Sequence, residues 1–401
     1  MLPKVYIDEL IKGLYVLRVD DDKVKYFEAL WYIPEGVTYN SYLLLTNKGA
    51  MLFDAWKEDF SDIFIDSLRE VIDLKSIKYV VIHHIEPDHS GSLPRLLQEI
   101  RSEAIMIGHP LVKDMLQSFY GIKPRFKTIK DLETISFGDK ELQFIFVPWL
   151  HWPETVMTYV KNMKVLLTCD AFGGFGIPPT LYDECSDVIE WYKPYVKKYI
   201  VDIIGHYKDF IVKNIDKLMK LNLDIKVIAP AHGLIWKNNP KLIIDYYYRL
   251  AKAGTVSDKV VIIYSSMYGF VEDAVNKIRK LNSSYGLRAI VFQFTDKVQS
   301  ELSDILSEVY DSKALILGIS TYEANIFPKL EYVIRMLIHK VNIVKPLIAL
   351  VVYGWGSVVV KRLEDLLRGS KFKVVDIIPI KGKVGDEDII RIKKALHKVL
   401  T

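Results

Sequence analysis

The sequence predicts an α/β protein of two domains, a layered α/β sandwich over residues 1–254 and a doubly wound parallel sheet over residues 255–401. Its 401 residues exceed one ordinary core, and 50% of them are hydrophobic, which is enough for two cores. In the first half, short β-rich segments precede longer helical patterns. After a short linker at residues 253–257, strands and helices alternate, which is typical of a parallel sheet.

The composition narrows the possible functions. The chain has 54 basic and 50 acidic residues, so a net charge of +4 gives little support for nucleic-acid binding. The two cysteines, Cys169 and Cys185, form no C-x-x-C pair, which excludes a disulfide scaffold, a zinc knuckle and an attached rubredoxin-type iron site. We expect a cytoplasmic protein without membrane contact, because no signal pattern and no membrane-length apolar run is present.

In the first domain, β-rich runs bounded by turn residues predict the strands, and apolar residues at helical spacing predict the helices. Strands are predicted over residues 14–19, 41–46, 50–53, 79–82, 104–108, 142–147, 156–160, 165–168 and 226–229. Helices are predicted over residues 58–72, 93–100 and 183–221.

Residues 83–91, His-His-Ile-Glu-Pro-Asp-His-Ser-Gly, follow the strand predicted at residues 79–82. Four ligand-type residues stand within six positions, at His84, Glu86, Asp88 and His89. An extended backbone would point residues 84, 86 and 88 the same way, and His89 could turn to a second metal. The density of these residues favours a metal site over a merely solvated polar loop.

Three later strand ends also carry ligand-type residues, His151, Asp170 and His232. Each is weak evidence alone, because a single His or Asp after a strand is more often a packing or surface residue. Together with the first loop they give four His and three carboxylates at successive strand ends. We expect Asp54, which also ends a strand, to orient loop backbone or a neighbouring ligand and not to bind metal.

Three carboxylates in the ligand set favour iron or manganese over metals that prefer thiolates. Two ferrous ions carry four positive charges, which three carboxylates and one hydroxide would balance in a buried site. Asp170 has two oxygens and is the natural bridge between two metals. With zinc the same residues would give a hydrolase that activates water, and this alternative stays open.

The second domain, with strands predicted over residues 260–264, 289–294, 314–317, 347–352 and 373–377, looks like a flavodoxin. Such sheets bind ligands at the carboxyl ends of their strands near the switch point, although the fold alone does not establish flavin binding. The loops at those ends supply the candidate cofactor contacts, Ser265, Ser266, Met267, Tyr268, Gly269, Ser320, Thr321, Tyr322, Asn325, Tyr353, Gly354, Trp355 and Gly356.

The first of these loops leads into a helix, whose amino terminus is an anion site. A flavodoxin phosphate loop normally ends in Ser or Thr, whereas Phe270 and Val271 stand there in this chain. We therefore expect weakened phosphate binding. Tyr353 or Trp355 is expected to stack on a flavin ring, the alternative being ordinary core packing.

Taken together, the motifs resemble the flavodiiron proteins, also called A-type flavoproteins, in their minimal two-domain class. The first domain resembles the metallo-β-lactamase fold as an αββα sandwich, whose usual hydrolase version has His where Glu86 stands. The resemblance covers essentially the whole chain and is carried by residues 83–94, 150–155, 169–173, 229–233 and 353–355.

The resemblance implies two irons and one FMN. One iron would be held by His84, Glu86, His151 and Asp170, and the other by Asp88, His89, Asp170 and His232. In some members the residue matching His89 is swung away from the metal. Candidates for lining the pocket are Trp149, Trp152, Phe172 and Tyr199, and Asp170 and Tyr199 are the expected catalytic residues.

The implied function is reduction of dioxygen to water, or of nitric oxide to nitrous oxide, with electrons delivered through FMN. Two alternatives stay open, a two-zinc hydrolase with an accessory flavodoxin-like domain and an electron-transfer flavoprotein whose first domain is structural. The family uses a rubredoxin or a reduced deazaflavin as electron donor. It also implies a head-to-tail homodimer, which some members pair into homotetramers.

Overall fold

The computed structural model describes residues 3–252, 257–284 and 286–400, which fold into two compact units. The first unit contains the chain up to Ile200 and Tyr207–Lys252, and the second contains Val201–His206 and the chain after Lys252. The predicted boundary between residues 254 and 255 lies outside the described residues and stays a prediction. Within the described ranges, no helix is both long and apolar enough to span a bilayer.

The first unit is built from short strands and seven α-helices among its described residues. Its strands are β1 Val5–Ile11, β2 Leu14–Asp21, β3 Tyr26–Phe27, β4 Trp31–Tyr32, β5 Val37–Thr46, β6 Gly49–Phe53, β7 Ile77–Ile82, β8 Ile105–Gly108, β9 Arg125–Thr128, β10 Thr134–Phe137, β11 Lys140–Phe146, β12 Val156–Val160, β13 Val165–Cys169 and β14 Val227–Pro230. Its α-helices are α1 Ser61–Val71, α2 Pro87–Ser90, α3 Leu93–Glu99, α4 Pro110–Tyr120, α5 Ser186–Tyr199, α6 Lys208–Lys220 and α7 Pro240–Ala251.

Two sheets of this unit pack face to face. The larger has the order β1-β2-β5-β6-β7-β8-β9 and the smaller has the order β10-β11-β12-β13-β14. Met51 and Val81 of the first sheet share one buried core with Phe144 and Leu167 of the second. Burial of the inner faces of both sheets is what drives such a sandwich together.

The register of the strands brings several polar loops to one edge of the sandwich. β6 and β7 are parallel, so the ends that precede Asp54 and His83 lie side by side. β13 and β14 are parallel as well, which places the ends before Asp170 and His232 beside each other. The carboxyl ends of these strands are therefore where the chain concentrates its metal-ligand residues.

The second unit is a parallel sheet with the order β16-β15-β17-β19-β20 and a short antiparallel strand beside β17. Its strands are β15 Lys259–Ser265, β16 Arg288–Phe294, β17 Ala314–Tyr322, β18 Asn325–Ile326, β19 Lys345–Tyr353 and β20 Phe372–Lys381. Its α-helices are α8 Phe270–Ser284, α9 Leu302–Tyr310, α10 Pro328–Met336, α11 Val358–Leu367 and α12 Asp386–Leu400. The order reverses at β15, so the switch point lies between β15 and β17. The predicted sandwich and doubly wound sheet are both confirmed.

One helix that the sequence predicts as continuous is interrupted in the structure. The helix expected over residues 183–221 is divided into α5 and α6 by a π-helical turn at Ile200–Ile204 and a 3-10 turn at Gly205–Tyr207. The break coincides with a change of packing partner, because Val201–His206 belongs to the second unit. Gly205 lies so close to the carbonyl oxygen of Lys340 that a Cβ would stand 2.7 Å from it.

Candidate metal centre and cofactor cavity

The first of two metal-ligand clusters contains His84, Glu86 and His151, from the loops that follow β7 and β11. Oε2 of Glu86 lies 3.1 Å from Nε2 of His84 and 2.9 Å from Nε2 of His151. All three side chains are buried, and their ligand-type atoms lie within 4.8 Å of one another. Two imidazoles and a carboxylate so arranged could hold one metal ion.

The second cluster contains Asp88, His89 and His232. Oδ2 of Asp88 lies 3.5 Å from Nε2 of His89 and 3.4 Å from Nε2 of His232. The extended loop expected at this motif is wrong for Asp88, because α2 begins at Pro87 and contains Asp88 and His89, which group with His232. Proline is well tolerated at this first helical position, which explains where the helix starts.

Asp170 lies between the two clusters and presents one oxygen to each. Its Oδ1 is 3.0 Å from Nε2 of His89 and 3.3 Å from Nε2 of His232. Its Oδ2 is 3.8 Å from Nε2 of His84 and 4.0 Å from Nε2 of His151. Burial opposes ionisation of Asp170, but His89 and His232 hold its pKa well below the usual value. The carboxylate is therefore charged and placed to bridge two cations.

The residues present fit a pair of metal ions. Both oxygens of Asp88, Oδ2 of Asp170 and Nε2 of His232 are buried without a hydrogen-bond partner among the described residues. Such groups are expensive to bury unpaired, and metal ions would pair them. The Cys169 thiol lies near His89 and Asp170, but burial raises its pKa well above the ordinary value. A protonated thiol leaves the donor set to imidazole and carboxylate, which suits iron.

Two of the ligand histidines, His84 and His232, have a hydrogen-bond partner at Nδ1, the ring nitrogen that does not face the metal-ligand cluster. Nδ1 of His84 lies 2.7 Å from Oε1 of the fully buried Glu154, and Nδ1 of His232 donates to the Thr38 carbonyl oxygen at 2.7 Å. Each bond leaves Nε2 for a metal. Nδ1 of His89 has no such partner among the described residues. Sequence reasoning did not single out Glu154, although it lies within the segment at residues 150–155 that carried the family resemblance.

Asp54 supports the loop and does not join either cluster. Its Oδ1 accepts a hydrogen bond from the backbone N–H of His83 at 2.8 Å, and its Oδ2 lies 2.7 Å from Nδ1 of His83. Nε2 of His83 lies 2.8 Å from the Thr158 hydroxyl. These contacts agree with the expected orienting role.

Tyr199 contacts the shared carboxylate directly. Its hydroxyl donates to Oδ1 of Asp170 at 2.8 Å. Burial, reinforced by the charge of Asp170, raises the pKa of Tyr199 well above its ordinary value, so the phenol stays protonated at neutral pH. Tyr199 is thus a proton donor within hydrogen-bond reach of the candidate metal centre.

The other predicted pocket residues, Trp149, Trp152 and Phe172, differ in whether their rings contact a ligand histidine. Trp152 packs edge-on against His84, with ring centroids 4.8 Å apart. Phe172 packs against Tyr247, and Trp149 stacks on Tyr207 instead of on a ligand. Only Trp152 of these three therefore has a described ring contact with a ligand histidine.

A cavity of about 480 Å³ lies in the second unit at the carboxyl ends of β15, β17 and β19. Predicted residues that line it are Ser266, Met267, Tyr268, Ser320, Thr321, Tyr353, Gly354, Trp355 and Gly356. Lining residues that the sequence analysis did not predict as contacts are Phe270, Val271, Glu323, Ala324, Val352, Val358 and Gly382. Their positions depend on the close approach of three loops, which local patterns do not reveal.

Four predicted cofactor contacts do not line this cavity, Ser265, Gly269, Tyr322 and Asn325. Ser265 is buried behind it, with its hydroxyl 2.8 Å from that of Ser320. Trp355 and Tyr268, in contrast, are 96% and 84% exposed at its mouth. Two free aromatic faces beside an apolar cavity fit a flat ring such as a flavin.

Several known proteins are similar to this chain in sequence and in fold. A family model described as "ODP family beta lactamase" matches residues 37–233. A nitric oxide reductase of Moorella thermoacetica is 30% identical over 365 residues, 90% of this chain and 90% of that protein. A mutant form of the flavo di-iron protein of Thermotoga maritima is 39% identical and covers 100% of both chains with a TM-score of 0.95. A rubredoxin oxygen:oxidoreductase of Desulfovibrio gigas is 25% identical, covers 98% of both chains and has a TM-score of 0.91.

A β-lactamase-like sandwich with paired metal-ligand clusters, followed by a flavodoxin-like sheet, defines a class of two-domain metalloflavoproteins. The chain belongs to the flavodiiron protein family. The predicted family and fold are confirmed, as is the enzyme class, since similar proteins are described as a nitric oxide reductase and a rubredoxin oxygen:oxidoreductase. The predicted cofactors, two irons and FMN, are those of the family. The individual ligand and flavin contacts stay predictions.

Proposed function

We propose that the protein reduces dioxygen to water or nitric oxide to nitrous oxide at a di-iron centre in its first unit, with electrons entering through FMN in the second. The observation that carries this proposal is the placement of Asp170. One of its oxygens faces each cluster of three ligands, at 3.0 Å from His89 and 3.8 Å from His84. A hydrolytic or structural role would not require the flavin-type cavity that accompanies the centre.

The two irons and the flavin, when bound, would supply the binding positions and the electrons for a small oxidant. The ligands proposed for the first iron are His84, Glu86, His151 and Asp170, and those for the second are Asp88, His89, His232 and Asp170. Because each of these residues is at most 8% exposed, the chain itself limits the access of bulk water to the centre. Tyr199 holds a proton at its hydroxyl, 2.8 Å from Asp170.

The test is the cofactor content of protein purified without oxygen. We expect two irons and one FMN per chain, and consumption of dioxygen or nitric oxide when the flavin is reduced. Two zinc ions per chain without flavin would favour a hydrolase instead. Asp170→Asn should lose both metals together, whereas Asp114→Asn, on the exposed face of α4, should lose neither. Loss of only one metal from the Asp170→Asn variant would contradict the bridging role.

The proposed electron donor is a rubredoxin or a reduced deazaflavin. The Desulfovibrio gigas relative is described as a rubredoxin oxygen:oxidoreductase, which supports the first. Mixing each reduced donor with the oxidised protein and following flavin absorbance distinguishes the two. We further propose a cytoplasmic location, in keeping with two free cysteines.

We propose that the active unit is a head-to-tail homodimer, in which the flavin of one chain faces the metals of its partner, with pairing into tetramers as a further step. Electron transfer requires closely spaced cofactors, and a two-fold axis makes both contacts equivalent. The nearly full exposure of Trp355 at the cavity mouth, 96%, supports a surface that a second chain covers.

Mixed refolding tests this arrangement. One variant loses its metals through Asp170→Asn, and the other loses flavin binding through Trp355→Ala with Ser266→Ala. Hybrid dimers should regain part of the activity, because one of their interfaces pairs an intact flavin with intact metals. Hybrids that hold the intact cofactors and stay inactive would mean that electrons pass within one chain.

A further inference from the structure

The cavity of the second unit is poorly equipped to recognise a phosphate. Among its described lining residues there is no Lys, Arg or His, and the single charged side chain is that of Glu323. A phosphate dianion is normally bound by cations, by hydroxyls and by backbone N–H groups at a helix amino terminus. An acidic residue without a balancing base works against such a ligand.

The Ser and Thr hydroxyls of the cavity are largely engaged within the protein. The Thr321 hydroxyl donates to the Val352 carbonyl oxygen at 2.9 Å, and the Ser320 hydroxyl is paired with that of Ser265 at 2.8 Å. The Ser266 hydroxyl accepts a hydrogen bond from the backbone N–H of Gly269 at 3.1 Å. This N–H group of the loop therefore already has a partner within the protein. The Ser266 hydroxyl can thus still donate a hydrogen bond to a ligand, whereas the Gly269 N–H cannot do so without losing its present partner.

Apolar side chains occupy the start of α8, where hydroxyls would otherwise reach a phosphate. Phe270 lines the cavity and is 48% exposed, so its ring is directed toward ligand and solvent. Val271 is buried in the hydrophobic core beside Tyr264. Neither side chain can donate a hydrogen bond, so a phosphate here would depend on backbone amides and Ser266.

The ring-binding part of the cavity is, by contrast, well developed. Tyr268 and Trp355 present exposed aromatic faces, and Val352 and Val358 contribute apolar walls. Stacking and apolar burial act equally on every flavin that carries the same ring system. They therefore give affinity without distinguishing the phosphorylated from the unphosphorylated form.

We infer that this cavity selects its flavin by the isoalloxazine ring and hardly by the phosphate, so that riboflavin binds nearly as well as FMN. The inference rests on the flavin-binding part of the proposed function. Phe270 is then the residue that sets this low selectivity, because a hydroxyl at its position would contact the phosphate from the helix terminus.

The experiment is a fluorescence titration of the flavin-free, metal-loaded full chain with FMN and with riboflavin. A hydrogen bond to a charged group changes affinity by roughly tenfold to a hundredfold, so we expect the two dissociation constants to differ by less than about tenfold. A preference for FMN above that ratio would overturn the inference. Failure to bind either flavin would instead refute the flavin part of the proposed function.

A matched pair of variants isolates the hydroxyl. Phe270→Ser and Phe270→Ala remove the same ring, but only the first adds a donor at the start of α8. We expect Phe270→Ser to increase the preference for FMN over riboflavin about tenfold relative to Phe270→Ala. Equal preferences in the two variants would show that this position does not set phosphate recognition.

Discussion

The Tyr199 hydroxyl donates a hydrogen bond directly to Asp170, the carboxylate that lies between the two clusters, at 2.8 Å. The Tyr199→Phe variant keeps the ring and removes only the hydroxyl. We expect it to retain both metals and to reduce oxidant consumption tenfold or more, because a positioned acid contributes at least about a hundredfold to many reactions. Metal analysis and oxygen- or nitric oxide-electrode rates measure the two quantities.

Tyr247→Phe is the control for this prediction. Tyr247 is also fully buried, but its hydroxyl donates to the Gly173 carbonyl oxygen at 2.6 Å and not to a ligand. Both variants lose one buried hydrogen bond, worth about 1 kcal/mol of stability. Equal losses of activity would indicate that Tyr199 contributes only to packing.

Glu154 is a positioning residue, since it acts on the proposed metal through His84. The Glu154→Gln variant keeps the size of the side chain and removes its charge behind Nδ1 of His84, which lies 2.7 Å away. We expect about tenfold to a hundredfold weaker retention of one metal, as for other carboxylates behind a ligand histidine. The measurement is metal remaining after graded chelator treatment, with exposed Glu103→Gln as control. Unchanged retention in Glu154→Gln would reject the role.

At this scale the sequence predicts ligand types well and their supporting partners poorly. Residues 84, 86, 88 and 89 are close in sequence, so their spacing indicates a ligand-rich loop, although α2 divides them between two clusters. Glu154 meets His84 only because β12 pairs with β11 and carries the preceding loop across the sheet end. The same limit applies to Ser265, whose side chain turns into the protein toward Ser320.

The short helix α2 is fixed by its contact with the turn before α1. A Cβ on Gly91, which follows α2, would stand 2.5 Å from the backbone nitrogen of Glu58 and 2.6 Å from the carbonyl oxygen of Pro87. Both neighbours are backbone atoms and cannot rotate away. The helix that carries Asp88 and His89 therefore depends on a glycine at its end.

The Gly91→Ala variant should lower the free energy of unfolding by about 1–3 kcal/mol, the usual range for overpacking, and should also loosen metal binding. Gly385→Ala is the control, because its added Cβ would meet only a side-chain oxygen of Asp388 at 3.8 Å. Chemical unfolding and metal content measure the two effects. A Gly91→Ala protein as stable as Gly385→Ala would show that the backbone adjusts freely.

Elements with strong apolar runs, such as β7 and β13, are predicted within a residue or two. The break between α5 and α6 is not, because its cause is a packing partner more than a hundred positions away at Lys340. β9 has mostly exposed side chains, so its sequence lacks the apolar alternation that indicates a strand. Local pattern thus predicts elements that bury a face and misses those held by distant contacts.

At the scale of the whole fold, the second unit buries two lysines at the amino-terminal edge of its sheet. Lys259 pairs with Glu308 and Asp311 at 2.6 Å each, whereas Lys345 donates to the Ser312 carbonyl oxygen. Burial, partly offset by Asp311 and reinforced by the charge of Lys259, lowers the pKa of Lys345 from 10.5 to about 8. The unfolded chain therefore binds a proton that the folded chain releases between pH 8 and 10.5.

Stability should accordingly rise with pH across this interval, because the unfolded state binds more protons than the folded state. Relative to Lys345→Met, the original protein should gain up to about 3 kcal/mol between pH 7.5 and pH 10.5. Comparing both proteins removes the titration of other groups, and urea unfolding gives the free energies. Parallel pH profiles for the two proteins would contradict the lowered pKa of Lys345.

The architecture as a whole is the feature that the sequence predicts best. Alternating strands and helices after residue 257 leave few options other than a parallel sheet, and clustered ligand types at strand ends suit a sandwich edge. The membership of Val201–His206 in the second unit was not predicted, since nothing in its composition distinguishes it from the flanking helices.

Val201–His206 determines which fragments of the chain contain a complete second unit. Val201–His206 belongs to the second unit, whereas the residues directly before and after it belong to the first. The polypeptide therefore passes between the two units three times. Lys340 Nζ donates to the Asp202 carbonyl oxygen at 2.6 Å, and His339 stacks on His206 with ring centroids 4.3 Å apart. The flavodoxin-like unit is therefore not a single continuous stretch of the chain. A fragment that begins at residue 257 would lack Val201–His206, which belongs to the same unit.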